Sequence, residues 1–249
     1  HIKFHPNKSN QEYTNYLKKL LLSKKYDPAI RGINRVSDLK LFLNSLDQKI
    51  EIKTYLDLGA GDASITKAII DSLPLTEYYA VDIIIPDNIS IPKSQYIQTD
   101  GKSIKLDRKL DLITCLQSLH HMQYIDDMFR SLMNYVRQGT LLFIREHDVQ
   151  NEVQKTLIEF DHYIYETVYE DKPANNWEQF SHYRTAQEWD EFLLSYKFKK
   201  IFYQKKQNDF NNIFIAGYIF DLNLNLNSNL NLNLNSNLNL NSNSKNNFF

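Results

Sequence analysis

Between residues 56 and 61 the chain reads Leu56-Asp57-Leu58-Gly59-Ala60-Gly61, an acid and two glycines where a strand pattern gives way to a helix pattern. Glycine at such a turn lets backbone approach a ligand that a Cβ would hold off. A carboxylate just before it, Asp57, suits a ligand with a cationic amino group. Asp82 stands 21 residues past Gly61, at the end of a second strand, where a carboxylate can accept both hydroxyls of a ribose. Thr99-Asp100-Gly101 follows a third strand, and the Asp100 carboxylate there could accept an adenine amino group. Singly, each acid is a common turn residue. Together they mark the carboxyl ends of three successive strands, where open α/β sheets bind their ligands. The turn departs from other nucleotide sites. Ser64 replaces the third glycine of a dinucleotide fingerprint, and no Gly-Lys-Ser/Thr follows to make a P-loop.

A second polar cluster, Arg145-Glu146-His147-Asp148, leaves a fifth strand. His147 could act as a base, with Glu146 or Asp148 orienting it or holding substrate; the competing reading is a polar loop with Asp148 capping the next helix. Downstream, Asp161-His162-Tyr163-Ile164-Tyr165 and Phe180-Ser181-His182-Tyr183-Arg184 supply groups for a substrate wall, although Tyr165 and Tyr169 fit helix packing better. Cys115 lies mid-strand and reads as a core residue. As the only cysteine it excludes an internal disulfide and a Cys-based zinc site, and no metal site is expected.

The elements that must position these groups alternate. Helices are expected over residues 11–25 and 34–46, then strands at 53–58, 77–82, 94–98, 110–116 and 140–144. Helices fall at 62–73, 124–136, 149–169 and 185–196, the last opened by the capping-box sequence Thr185-Ala186-Gln187-Glu188. Strands at 198–203 and 213–220 close the pattern as a hairpin. This predicts an α/β fold, a doubly wound, mainly parallel sheet with an antiparallel last strand and helices on both faces. The expected organisation is an N-terminal helical extension (1–49), one α/β domain (50–220) and a low-complexity Leu-Asn tail (221–249).

Asp57-Leu58-Gly59-Ala60-Gly61, Asp82, Asp100-Gly101 and Asp111-Leu112-Ile113-Thr114 resemble, in order and spacing, motifs I to IV of the class I S-adenosylmethionine-dependent methyltransferases. The resemblance covers about residues 50 to 220. It implies a seven-stranded sheet in which the Gly59–Gly61 turn holds the methionine part of S-adenosylmethionine, Asp82 the ribose and Asp100-Gly101 the adenine. Gln117-Ser118-Leu119-His120-His121 resembles the segment bordering the reactive methyl group, so Gln117 is assigned to the cofactor and His120 to catalysis with Glu146, His147 and Asp148. The Asn/Asp-Pro-Pro-Tyr/Phe motif of amino-methylating enzymes is absent, and so is the tetrad of ribose 2′-O-methyltransferases. Strand four with His120 is somewhat similar to the cap guanine-N7 enzymes. The implied function is methyl transfer to RNA, including the cap guanine N7, or to a small molecule; the alternatives are a catalytically silent methyltransferase-fold subunit binding RNA or protein, and a disfavoured NAD-dependent oxidoreductase.

Composition sets outer bounds. The 249 residues are 42% hydrophobic and 24% charged, and no apolar run approaches the roughly 18 to 20 residues that would span a bilayer. A reducing intracellular, cytoplasmic setting is expected. The chain starts on His1 and reads as the inside of a longer chain or a trimmed product. The net charge of −1 hides a segregation: residues 1–40 carry nine Lys or Arg against three acids, and Lys197, Lys199, Lys200, Lys205 and Lys206 form a second basic cluster. Such regions could steer an RNA substrate, or be ordinary solvated faces.

Overall fold

A computed structural model describes residues 12, 15, 28–168, 181–206 and 212–224. The helix expected over 11–25 lies almost wholly outside these residues, as do most of the basic N-terminal region, Tyr169, Phe180, most of the 208–212 connection and the Leu-Asn repeats beyond 224.

Seven strands form one sheet: β1 (Thr54–Leu58), β2 (Glu77–Asp82), β3 (Tyr96–Gln98), β4 (Leu112–Leu116), β5 (Leu141–His147), β6 (Phe198–Lys205) and β7 (Ile213–Phe220). Their order is β3-β2-β1-β4-β5-β7-β6, and only β7 runs antiparallel to its neighbours. The chain winds outward from β1 to β3, then returns to lay β4 on the other side of β1. The crevice between the ends of β1 and β4 is thus the switch point at which such sheets bind ligands.

Alternation along the buried strands feeds two cores. Leu56, Leu58, Ile113, Leu142 and Ile144 face one side, with Met128, Phe129 and Leu132 of α3 (Ile125–Leu132) and Trp189 and Leu193 of α5 (Ala186–Ser195). Tyr55, Leu112, Leu141, Phe143 and Ile215 face the other, with Leu39 and Phe42 of α1 (Pro28–Asn44) and Ile65 and Ile69 of α2 (Ser64–Ser72). Strands sandwiched in this way are mostly apolar on both faces, as β4 and the Leu141–Ile144 part of β5 are.

Three helix boundaries lie more than two residues from expectation, each for a local reason, and β5 runs on through His147. Helix α1 opens at Pro28, ahead of the apolar stripe at 34, and is part of the core: the Phe42 ring occupies the space that a Cβ on Gly217 would need and stacks on Phe143 at 5.5 Å. Helix α3 stops at Leu132, where the Met133–Tyr135 amides turn back on Phe129, Ser131 and Leu132. The helix after β5, α4 (Glu152–Val168), is capped by Asn151, whose Oδ1 accepts the Gln154 amide at 3.0 Å, rather than by Asp148. The Thr185/Glu188 capping box of α5 forms as its sequence predicts. Among the described residues no helix is long and apolar enough to cross a membrane.

Candidate functional site

The turn after β1 is fastened before any ligand arrives. The Gly59 and Ala60 amides both donate to the Val81 carbonyl, at 2.8 and 3.1 Å. Gly59 (φ +81°) lies so close to the segment after β4 that an added Cβ would sit 2.3 Å from Ser118 Cβ. Ser118 answers with a hydroxyl donated to the Leu58 carbonyl at 2.8 Å. The β1 turn and the Gln117–His121 segment therefore form one wall. Gly61 (φ +55°) is the opposite case: nothing lies within 4 Å of where its Cβ would be. Its amide donates to Asp82 Oδ2 at 2.8 Å, and Oδ1 takes the Ile83 amide at 2.7 Å. Asp82 is thus a half-buried, oriented carboxylate facing an open glycine.

Asp57 has a different surrounding from Asp82. It is buried, and its two oxygens accept the hydroxyls of Thr66 on α2 (2.6 Å) and Thr114 on β4 (2.8 Å). Burial raises its pKa to about 6 against these two bonds; Arg31 on α1 is near enough to pull it back. Its carboxylate ties β1, β4 and α2 together behind the turn. Asp100 is exposed, with Oδ1 accepting the Lys102 and Ser103 amides at 2.8 and 2.9 Å, and these bonds lower its pKa. Gly101 sits beside Ile83: a Cβ there would meet Ile83 Cγ2 at 3.4 Å. Ile83, Ile84 and Ile85 after Asp82 are 56%, 66% and 37% exposed, an apolar strip at the mouth of the crevice fit to receive a flat base. Its sequence signal is three consecutive isoleucines directly after a strand-terminal acid, a pattern no motif above includes.

Gln117 adopts φ +60°, accepts the Arg35 guanidinium at 2.5 Å, and so connects the β4 wall to α1. The groups on the β4–β5 side come together, all buried or half-buried. Glu146 is fully enclosed and accepts the Leu119 amide at 2.8 Å; its Oε2 lies 2.6 Å from His120 Nδ1. Burial pushes the Glu146 pKa up to about 7, and burial followed by the nearby His147 drives that of His120 well below the usual imidazole value. Burial thus disfavours the charged form of the His120 ring, whose Nδ1 faces Glu146 and whose Nε2 is buried without a hydrogen-bond partner. Around it stand His121 (ring centroids 4.0 Å apart), His147 (5.1 Å), His162 from α4 (5.3 Å) and Tyr183 from the segment before α5 (5.2 Å). Burial, with the neighbouring His120, holds the His162 pKa down at about 2, and the Tyr183 hydroxyl lies 3.0 Å from its Nδ1.

Asp148 stands apart from that cluster. Its Oδ1 accepts the Ala186 amide at the start of α5 (2.9 Å) and the Gln150 side chain, and Oδ2 lies 3.4 Å from Lys205 Nζ. It anchors α5, a helix far along the chain from the one a local reading would have it cap. Of the proposed substrate wall, His162 and Tyr183 join the cluster. Arg184 instead covers Trp189 and Phe192, and His182 donates its backbone amide to the His120 carbonyl at 2.6 Å.

The family model of a methyltransferase domain matches residues 24–200. Solved structures with this architecture include the methyltransferase in complex with the Haloferax volcanii Trm112 methyltransferase activator (9% identity over 88% of this chain and 100% of that one, TM-score 0.53). Human N-acetylserotonin methyltransferase in complex with SAM gives 13% identity over 84% and 55% of the two chains (TM-score 0.51). Magnesium protoporphyrin IX methyltransferase from Synechocystis PCC 6803, with bound SAH, gives 13% over 77% and 82% (TM-score 0.50). No curated protein matches the sequence.

Proposed function

From the premise that this chain belongs to the methyltransferase domain family, whose cofactor is S-adenosylmethionine, we propose that it transfers a methyl group to a small-molecule acceptor seated against His120, His121, His147 and His162. The observation that carries this reading is the packing of Ser118 on Gly59, which makes the cofactor turn and the histidine cluster two ends of one wall.

The residues fit the cofactor. The open face of Gly61 leaves room for the methionine part, Asp82 is oriented toward a ribose, and Ile83–Ile85 with Asp100 and Gly101 would receive the adenine. When bound, S-adenosylmethionine supplies a sulfonium-activated methyl group. What the protein must add is placement, because an in-line displacement gains most from holding nucleophile and methyl in register. Glu146 fixes the orientation of the His120 ring through Nδ1. His147 meets that ring edge-on, and Tyr183 and His162 stack on it, forming walls that keep water out.

A small acceptor is favoured over RNA by how the described basic residues are occupied. Lys206 and Arg145 both pair with Asp38, Lys200 with Asp190 and Lys205 with Asp148, while Lys197 donates to the Leu222 carbonyl. Most of the second basic cluster is therefore neutralised within the fold. A tritiated-methyl assay against separate metabolite, protein, capped-RNA and uncapped-RNA pools tests the assignment. Label in the metabolite pool is expected. Label confined to RNA would return the acceptor to the cap or another RNA site, and failure to bind S-adenosylhomocysteine in calorimetry would remove the enzyme reading altogether.

A further inference from the structure

We propose that His120, His147 and His162 bind one divalent transition-metal ion, with zinc as the first choice. One ring nitrogen from each of the three lies within 4.8 Å of the others. Around a tetrahedral zinc with bonds of about 2.0 to 2.1 Å, ligand nitrogens stand roughly 3.4 Å apart. Small side-chain rotations about a pre-assembled cluster close the difference. The three residues come from the turn after β4, the end of β5 and the middle of α4, so the fold converges them from separate elements.

Two further observations single out a metal over simple ring packing. His120 Nε2 is fully buried and makes no hydrogen bond, a costly state for a polar atom that a ligand bond would relieve. Its other nitrogen is held by the Glu146 carboxylate at 2.6 Å, the arrangement by which a carboxylate fixes the tautomer and raises the basicity of a ligating imidazole. The Tyr183 hydroxyl lies 3.0 Å from His162 Nδ1.

The donor set also selects the ion. Three imidazoles and no oxygen or thiolate ligand suit zinc or a neighbouring first-row metal and disfavour magnesium and calcium. Three protein ligands leave a fourth position, the pattern of a centre that accepts an exogenous ligand. Its place at the end of the wall shared with the Gly59 turn would let an oxygen or nitrogen of the acceptor occupy it. That last step rests on the proposed function; the metal site does not.

The experiment reads the metal rather than turnover, so either idea can fail alone. The full chain, stripped with chelator and dialysed, is titrated with Co2+. The expected result is one equivalent bound, with visible d–d bands at roughly 500 to 700 nm that zinc abolishes and magnesium does not. His162→Ala, or His162→Gln should the alanine variant fail to fold, is expected to weaken binding at least 100-fold with the circular dichroism unchanged. Glu146→Gln should weaken it about 10- to 100-fold. Absence of the bands in the wild-type chain, displacement by magnesium, or wild-type affinity in the His162 or Glu146 variants overturns the proposal.

Discussion

Asp82 and Asp100, on the β2–β3 side of the crevice, keep their carboxylates half-buried or exposed and hold them with backbone amides from residues next to the strand ends. Glu146, His120 and His147, on the β4–β5 side, are enclosed and hold one another. Water can compensate a polar group on the first side, so the cost of each residue is small and the geometry is local. On the second side the groups are buried, and each depends on a partner from another element. Substitutions should therefore act separately on the first side and jointly on the second.

The largest expected effect tests the one cofactor-side residue that breaks this contrast, the buried Asp57. Its folded pKa of about 6 lies above the ordinary 3.8, so between those values the folded chain holds a proton that the unfolded chain has released. The stability present below pH 4 is lost as the pH rises through 6, up to about 3 kcal/mol for two units. Asp57→Asn should remove that dependence. In urea melts at pH 4 and pH 7.5, the variant should gain on the wild type at the higher pH; an equal gap at both would show that Asp57 carries no buried-charge penalty.

Asp82→Ala should weaken S-adenosylhomocysteine binding by about 1 to 3 kcal/mol, the range for losing a hydrogen-bond partner to a polar ligand group. Calorimetry should find the melting temperature little changed. An unaffected affinity would break the assignment of the exposed side to the cofactor.

His147→Ala is expected to lower kcat/KM at least tenfold, about 1.4 kcal/mol, while S-adenosylhomocysteine affinity stays within about threefold. Equal losses in both would mean that the two sides are not separable. The smallest effect is expected from Asp148→Ala. Loss of its bond to the Ala186 amide should cost about 1 kcal/mol of stability by thermal melting, the usual value of a helix cap. A kinetic defect larger than that of His147→Ala would restore Asp148 to the acceptor site.

The same contrast explains what could be read beforehand. The strand alternation, the switch point and the acids at the ends of β1 to β3 are local patterns, so Gly59, Gly61, Asp82, Asp100 and Gly101 lie where their motifs put them. Asp57 shares the motif but is turned inward by Thr66 and Thr114, which no spacing announces. On the β4–β5 side the expected grouping of His120 with Glu146 and His147 forms, while Asp148 turns to α5 and His162 joins from α4 without a local signal. Glu146 and His120 are 26 positions apart, and no His-x-x-x-His or similar repeat marks His120, His147 and His162 as a set. Asp148 follows His147 directly yet serves α5, because the strand ends between them and the chain turns toward Asn212.

The seat of Phe42 against Gly217 has a consequence for how the molecule is made. Helix α1 leaves the ribosome early, but the glycine notch that receives its ring belongs to the last strand, and its Asp38 waits for Lys206, 168 residues later. At about 5 to 20 residues per second that is on the order of ten to thirty seconds during which α1 can rest on α2 and the first strands but not on β7. A stall late in translation would leave a protein whose cofactor turn is complete and whose first helix is packed on α2 but not yet locked by Gly217 and Lys206.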